Sequence, residues 1–147
     1  MKSLRAVGTG ALLIAAVACG AAPNGPPEIV LDRSVCEHCQ MLVSELRFAA
    51  AYRPAGGGDM KVFDDLSCFA ESLNNEADAE AADVWIRDYM AERWLEPSEV
   101  FVVRSAAIPT PMGGGMVAVR GAGAAERLAV RTDDARIMTF RELIAER

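Results

Sequence analysis

Beyond residue 27 the apolar positions fall into two blocks of the same kind. Residues 28–32 read as a short strand, and the apolar, partly alternating stretch 41–52 as a second, with a turn-like segment at 33–40 between them. Residues 54–59 are a loop by composition. From there Phe63, Leu66, Phe69, Ala70 and Leu73 recur at spacings of three and four, which predicts a helix over 63–74. An acidic, Ala-rich connector at 76–83 extends it, and residues 84–89 alternate as a strand does. The second block opens at Trp94-Leu95, with a strand at 100–104, a loop at 109–115 and a strand at 116–119. A short Ala-rich helix at 123–131, a strand at 135–140 and a closing helical turn at 141–147 complete it. Strand, strand, helix, strand thus occurs twice. The expected fold class is α+β with two ββαβ units, at 28–92 and 93–147.

The first residues follow a different pattern. Lys2 and Arg5 precede the apolar run at 11–18, which is shorter than the roughly 20 residues a bilayer span needs. The run ends in Ala16-Val17-Ala18-Cys19-Gly20, which resembles a bacterial lipobox. That reading makes 1–18 a signal peptide and Cys19 the acylated N-terminus, anchoring the chain to a membrane of the cell envelope. The other reading is an ordinary secretory signal cleaved after Ala18, with Cys19 a free thiol. Both export the chain. Residues 19–27, small and Pro-rich, read as a tether, and eight flexible residues reach only about 15–17 Å on average.

Length and charge then exclude several classes. At 147 residues the chain is too short for an enzyme with separate cofactor and substrate domains. Its net charge of −6 argues against nucleic acid as a partner. Without the signal peptide, 13 basic residues face 21 acidic ones, so the mature domain has a charge of −8. Anionic lipid should repel it, leaving acyl chains as the membrane attachment, and a partner should present a basic patch.

Cysteine counting narrows the chemistry. With Cys19 assigned to lipid, Cys36, Cys39 and Cys68 remain, an odd number that cannot all pair within one chain. An exported protein that keeps thiols commonly gives them a metal or a redox task. The segment Cys36-Glu37-His38-Cys39-Gln40-Met41 places two thiols, the sole imidazole and a thioether within six residues. Cu(I) is the common biological ion that accepts Cys and Met together, whereas zinc prefers four Cys or His ligands. Simpler readings stand beside this one. Cys36 and Cys39 could form a small disulfide, Met41 could be a core residue, His38 a solvated one, and Cys68 a buried hydrophobe on the helix.

A second feature is Pro109-Thr110-Pro111-Met112-Gly113-Gly114-Gly115-Met116. Prolines stiffen the approach and glycines permit close backbone contact, an arrangement that displays the Met112 thioether on a loop. The alternative is a hairpin turn with Met112 as packing. It is not a phosphate loop, because no Gly-Lys-Ser/Thr follows.

Taken in order, these motifs, together with Phe63-Asp64-Asp65-Leu66-Ser67-Cys68-Phe69, the strand at 84–89 and Trp94, resemble the NosL family. These are lipoprotein accessory factors of nitrous oxide reductase maturation. The resemblance implies two ββαβ units, treble-clef-like and similar in fold to organomercurial lyase. It implies a membrane-anchored, monomeric Cu(I) metallochaperone rather than an enzyme, delivering copper to the assembly proteins of that reductase. Its Cu(I) ligands fall on Cys39 and Met41 of the Cys-x-Met motif and on Met112 of the Pro-Met-Gly loop. Cys36 is then secondary and His38 a further candidate. Cys39 and Met41, at i and i+2 of a strand, would share a face. The family usually has Gly where this chain has Gln40, which bears on affinity. A thiol-redox or structural lipoprotein without metal, and an organomercurial-lyase-like enzyme using the thiols with Asp64 or Asp65 as proton donor, are the alternatives.

Overall fold

Ala50, Ala51 and Tyr52 are all inaccessible to solvent, which an alternating half-exposed strand does not allow. They lie at the centre of a sheet covered on both faces. The computed structural model describes residues 25–74 and 83–146, and the elements are β1 (Ala50–Arg53), β2 (Lys61–Phe63), α1 (Leu66–Asn74), β3 (Asp83–Arg87) and β4 (Trp94–Leu95), then β5 (Val100–Arg104), β6 (Met116–Arg120), α2 (Ala122–Ala129), β7 (Arg136–Thr139) and α3 (Phe140–Ala145). The signal peptide, Cys19 and residues 76–82 of the acidic connector lie outside the described residues. No described helix is long and apolar enough to cross a membrane.

The first sheet is antiparallel with order β2-β1-β3-β4, and the second, also antiparallel, has order β6-β5-β7. The ββαβ order is therefore present twice. Register decides the faces. In the first sheet Ala50, Tyr52, Phe63, Val84, Ile86 and Leu95 point to the main core. On the opposite face Val62 and Trp94 pack with Ile29, Val43 and Ala49 of the segment leading into β1. In the second sheet Val102, Ala118 and Met138 share the face turned to the same main core. Val103, Val117 and Val119 face the other way, onto Ala125 and Leu128 of α2.

Helix α1 joins the two sheets. Its residues Leu66, Cys68, Phe69, Ala70 and Leu73 are buried. The Phe69 ring meets Phe63 edge-on at 5.8 Å, Tyr52 at 6.0 Å, and Phe140 of α3 at 6.4 Å. An aromatic buried in this way contributes about 3–5 kcal/mol against truncation to Ala. The Tyr89 amide also donates to the Ala118 carbonyl at 2.8 Å, tying the exit of β3 to β6.

Several local expectations are corrected. Residues 28–32 are not a strand: Asp32 takes a left-handed φ of +58° and the chain turns back, the Asp32 amide reaching the Val43 carbonyl at 3.0 Å. Asp tolerates that conformation better than most residues. The strand expected over 41–52 begins only at Ala50, after a 3-10 turn at Leu46–Phe48. Strand β2 was not anticipated, and α1 starts at Leu66 instead of Phe63. Trp94 and Leu95, expected to open the second block, close the edge of the first sheet by pairing with β3.

Candidate metal centre

The Cys-x-x-Cys segment is a tight knuckle. A single bridge pairs Val35 with Leu42, the Cys36 amide donates to the Met41 carbonyl at 2.8 Å, and the Gln40 amide donates back to the Cys36 carbonyl at 3.0 Å. Closing this turn requires Gln40 at φ +62°. A glycine there would meet no Cβ penalty. Here the exposed Gln40 side chain folds back on the turn, its amide donating to the Glu37 carbonyl at 2.8 Å and the Cys36 carbonyl at 3.3 Å. The knuckle is fastened to the first sheet by the Glu37 amide, which donates to the Val62 carbonyl of β2 at 2.8 Å.

Strand β2 then delivers Asp64 and Asp65, both buried, to the start of α1, and Cys68 sits in the first turn of that helix. The ligand atoms of Cys36, Cys39, Asp64 and Cys68 all lie within 4.8 Å of one another. All three thiols are free. Cys36 and Cys68 are buried, whereas Cys39 is half-buried and its Sγ lies 3.5 Å from Asp64 Oδ1. Burial pushes the Cys36 thiol up to about 11, although the backbone amides of Cys39, Asp64 and His38 point at its sulfur and pull the other way. Burial, and then the charges of Cys36 and Cys39, raise Cys68 far above the ordinary thiol range. The inner thiols thus keep their protons at neutral pH, and an ion that binds there must displace them. Amides aimed at a sulfur favour a thiolate once it forms.

The Pro-Met-Gly loop is clasped to this junction by Asp65. Asp65 Oδ1 accepts from the Ser67 amide at 2.7 Å and its hydroxyl at 2.6 Å, capping α1, while Oδ2 accepts from the Met112 amide at 2.9 Å. Close approach explains Gly114. A Cβ there would lie 2.5 Å from the Ser67 Cβ, so any side chain would push the loop off the helix. Beside the cluster, His38, Ser67, Cys68, Glu71, Met112 and Met116 line a cavity of about 330 Å³.

The predicted site residues are distributed accordingly. Cys36 and Cys39 are together in the cluster. Met112 is 42% exposed at the edge of the cavity that Cys68 lines. Met41 is 53% exposed on the knuckle; the turn at Gln40 replaces the strand that was to align it with Cys39. His38 stands outside the four-residue cluster, its Nε2 3.0 Å from Glu71 of α1. Two members of the cluster, Asp64 and Cys68, were not among the predicted ligands. Cys68 reads as a core hydrophobe because its place on the apolar helix face is the same either way, and Asp64 adjoins it through the fold alone. The odd count of thiols was the available signal.

Two small antiparallel sheets joined by a buried helix, with thiols and a carboxylate gathered at that helix's start, define an α+β protein with a soft-donor centre. This chain belongs to the NosL family, which it matches over residues 27–147. Its fold is similar to the crystal structure of the copper chaperone NosL from Shewanella denitrificans, with a TM-score of 0.71. The two chains are 14% identical over 82% of this chain and 96% of the other, a likeness that carries the fold alone. No curated protein matches the sequence.

Proposed function

We propose that the chain is a Cu(I) metallochaperone that supplies copper for assembling the copper centres of nitrous oxide reductase, held at an envelope membrane by a lipid on Cys19. The observation that carries this reading is the meeting of Cys36, Cys39, Cys68 and Asp64 within 4.8 Å, with no disulfide among the thiols. Thiolate sulfur selects a soft ion such as Cu(I), and family membership and the likeness to a copper chaperone agree with that choice. Cys39, the half-buried thiol, is the ligand an arriving ion meets first. The inner thiols form the wall behind it. Met112, and Met41 on the knuckle, are exposed thioethers that bind weakly and exchange readily, so an acceptor can replace one ligand at a time without releasing free ion.

Titrating the reduced apo protein with Cu(I) against a chromophoric chelator should show one ion per chain. In cells, replacing Cys19 with Ser should leave that binding intact while lowering copper loading of the reductase. Absence of Cu(I) binding, or full maturation without Cys19, would contradict the respective half of the proposal. Release of hydrocarbon from an organomercurial would instead assign the same thiols and Asp64 to an enzyme.

A further inference from the structure

The chain is acidic overall, yet four arginines meet in one place. A cleft of about 380 Å³ is lined by Asp88, Met90 and Arg93 from the turn after β3, and by Arg120, Arg127 and Arg131 from the end of β6, from α2 and from the turn beyond it. Strand β6 begins at Met116, in the cavity beside the thiol cluster, and ends at Arg120, in this cleft, so about 13 Å of strand separates them. Asp88 is buried and occupied: its Oδ1 accepts from the Met90 amide at 3.0 Å, and its Oδ2 lies 3.7 Å from Arg93. Arg120 is 2.8 Å from Glu99. Arg127 and Arg131 enter no ion pair among the described residues, which leaves two cations facing the cleft without an anion. Met90 and Val130, 69% and 87% exposed, are the most exposed large apolar side chains described. Met90 lines the cleft, and Val130 is the neighbour of Arg131.

We propose that this cleft binds the phosphate of an anionic phospholipid headgroup, with Met90 and Val130 entering the interfacial layer of the bilayer. Guanidinium groups match phosphate oxygens in pairs. The concavity suits one small charged group and not the roughly 800 Å² face that a stable protein partner occupies. Met90, bare on the wall of the cleft, has no purpose towards a free ion, whereas an apolar tip beside cationic side chains suits a membrane surface. The net negative charge does not prevent this, because at physiological salt it is screened beyond about 8 Å. Contact is then decided by the charges at the surface that touches. A headgroup held at this end of β6 turns the metal centre, at the other end, away from the bilayer.

The test uses the mature chain, residues 19–147, with Cys19→Ser, so that neither the signal peptide nor an acyl chain contributes, in flotation with phosphatidylcholine vesicles and with vesicles containing phosphatidylglycerol. Binding is expected only to the second, weakening as salt rises. Arg127→Ala with Arg131→Ala should lower it about tenfold or more, and Met90→Ser with Val130→Ser should lower it further, without changing the circular dichroism or Cu(I) binding. Equal or absent binding to both vesicles, or no effect of the arginine pair, would overturn the proposal. So would saturation of the cleft by inorganic phosphate while phosphatidylglycerol vesicles fail to bind, or its occupation by an acidic protein in their place.

Discussion

Both units run strand, strand, helix, strand, but their helices enter differently. Helix α1 follows Asp64 and Asp65, is capped by a buried carboxylate, carries Cys68 in its first turn and buries five side chains between the sheets. Helix α2 follows Gly121 at φ +79°, has no side-chain cap, and buries only Ala125 against the outer face of its sheet. The same topology thus yields a helix start that gathers ligands and one that only covers a sheet. What separates them is the added knuckle before β1, which the second unit lacks, and the loop before β6, which the second unit sends back to the first. The chemistry belongs to these attachments, and the repeated units hold them in register.

The largest effect should come from the junction itself. Asp65→Ala removes the acceptor of three hydrogen bonds in a site closed to solvent. It should destabilise the protein by about 3 kcal/mol in chemical denaturation, and free the Met112 loop, so that Cu(I) affinity falls at least to that of Met112→Leu. Gly121→Ala, the corresponding point before α2, should cost about 1 kcal/mol through its positive φ, with Cu(I) affinity unchanged. If the two substitutions affected the metal equally, the contrast between the units would be lost.

Next is Gly114→Ala, whose Cβ would collide with the Ser67 side chain. A loss of about 1–3 kcal/mol is expected, with Ser67→Gly in the same chain recovering most of it. Additive losses in this double-mutant cycle would show that the loop does not rest on α1.

Proton competition sets a third effect. The folded chain holds the Cys36 thiol at about 11 against an ordinary 9.0 because burial disfavours the thiolate. A folded pKa above the unfolded one stabilises fully below pH 9, and that contribution is lost as pH rises through about 11. Binding shows the opposite trend: each inner thiol proton displaced makes Cu(I) affinity rise about tenfold per pH unit below that range. Chelator competition at pH 6.5, 7.5 and 8.5 should show a slope of more than one proton per ion, and a slope of one or less would mean that Cys36 and Cys68 stay protonated. The smallest effect belongs to Gln40→Gly. Relief of the left-handed strain and loss of the two side-chain hydrogen bonds oppose each other, so stability should change by less than about 1 kcal/mol.

These residues also show where the sequence is readable. Strand β5, with Val100, Val102 and Val103 buried and Arg104 exposed, and helix α1, with its three-and-four spacing, carry their structure in local pattern. Strand β2 is three residues long after a glycine-rich loop, too short for alternation to register. Residues 28–32 imitate a strand because apolar content alone does not reveal that Asp32 will turn left-handed. In the centre, the Cys36–Cys39 pair is visible by spacing. Asp64 and Cys68 are not, since residues 25 and more apart along the chain are brought into one cluster by tertiary packing and by the amide of Glu37 on β2.

On the proposed reading, Cu(I) is held by the thiol cluster of the first unit and enters through Cys39. The direct test is competition between a Cu(I) chelator and the reduced protein, comparing the natural chain with Cys39→Ala at pH 7.5. An affinity at least 100-fold lower in the variant, with its fold retained by circular dichroism, is the expected result. Cu(I) binding by Cys39→Ala at the natural strength would contradict the account.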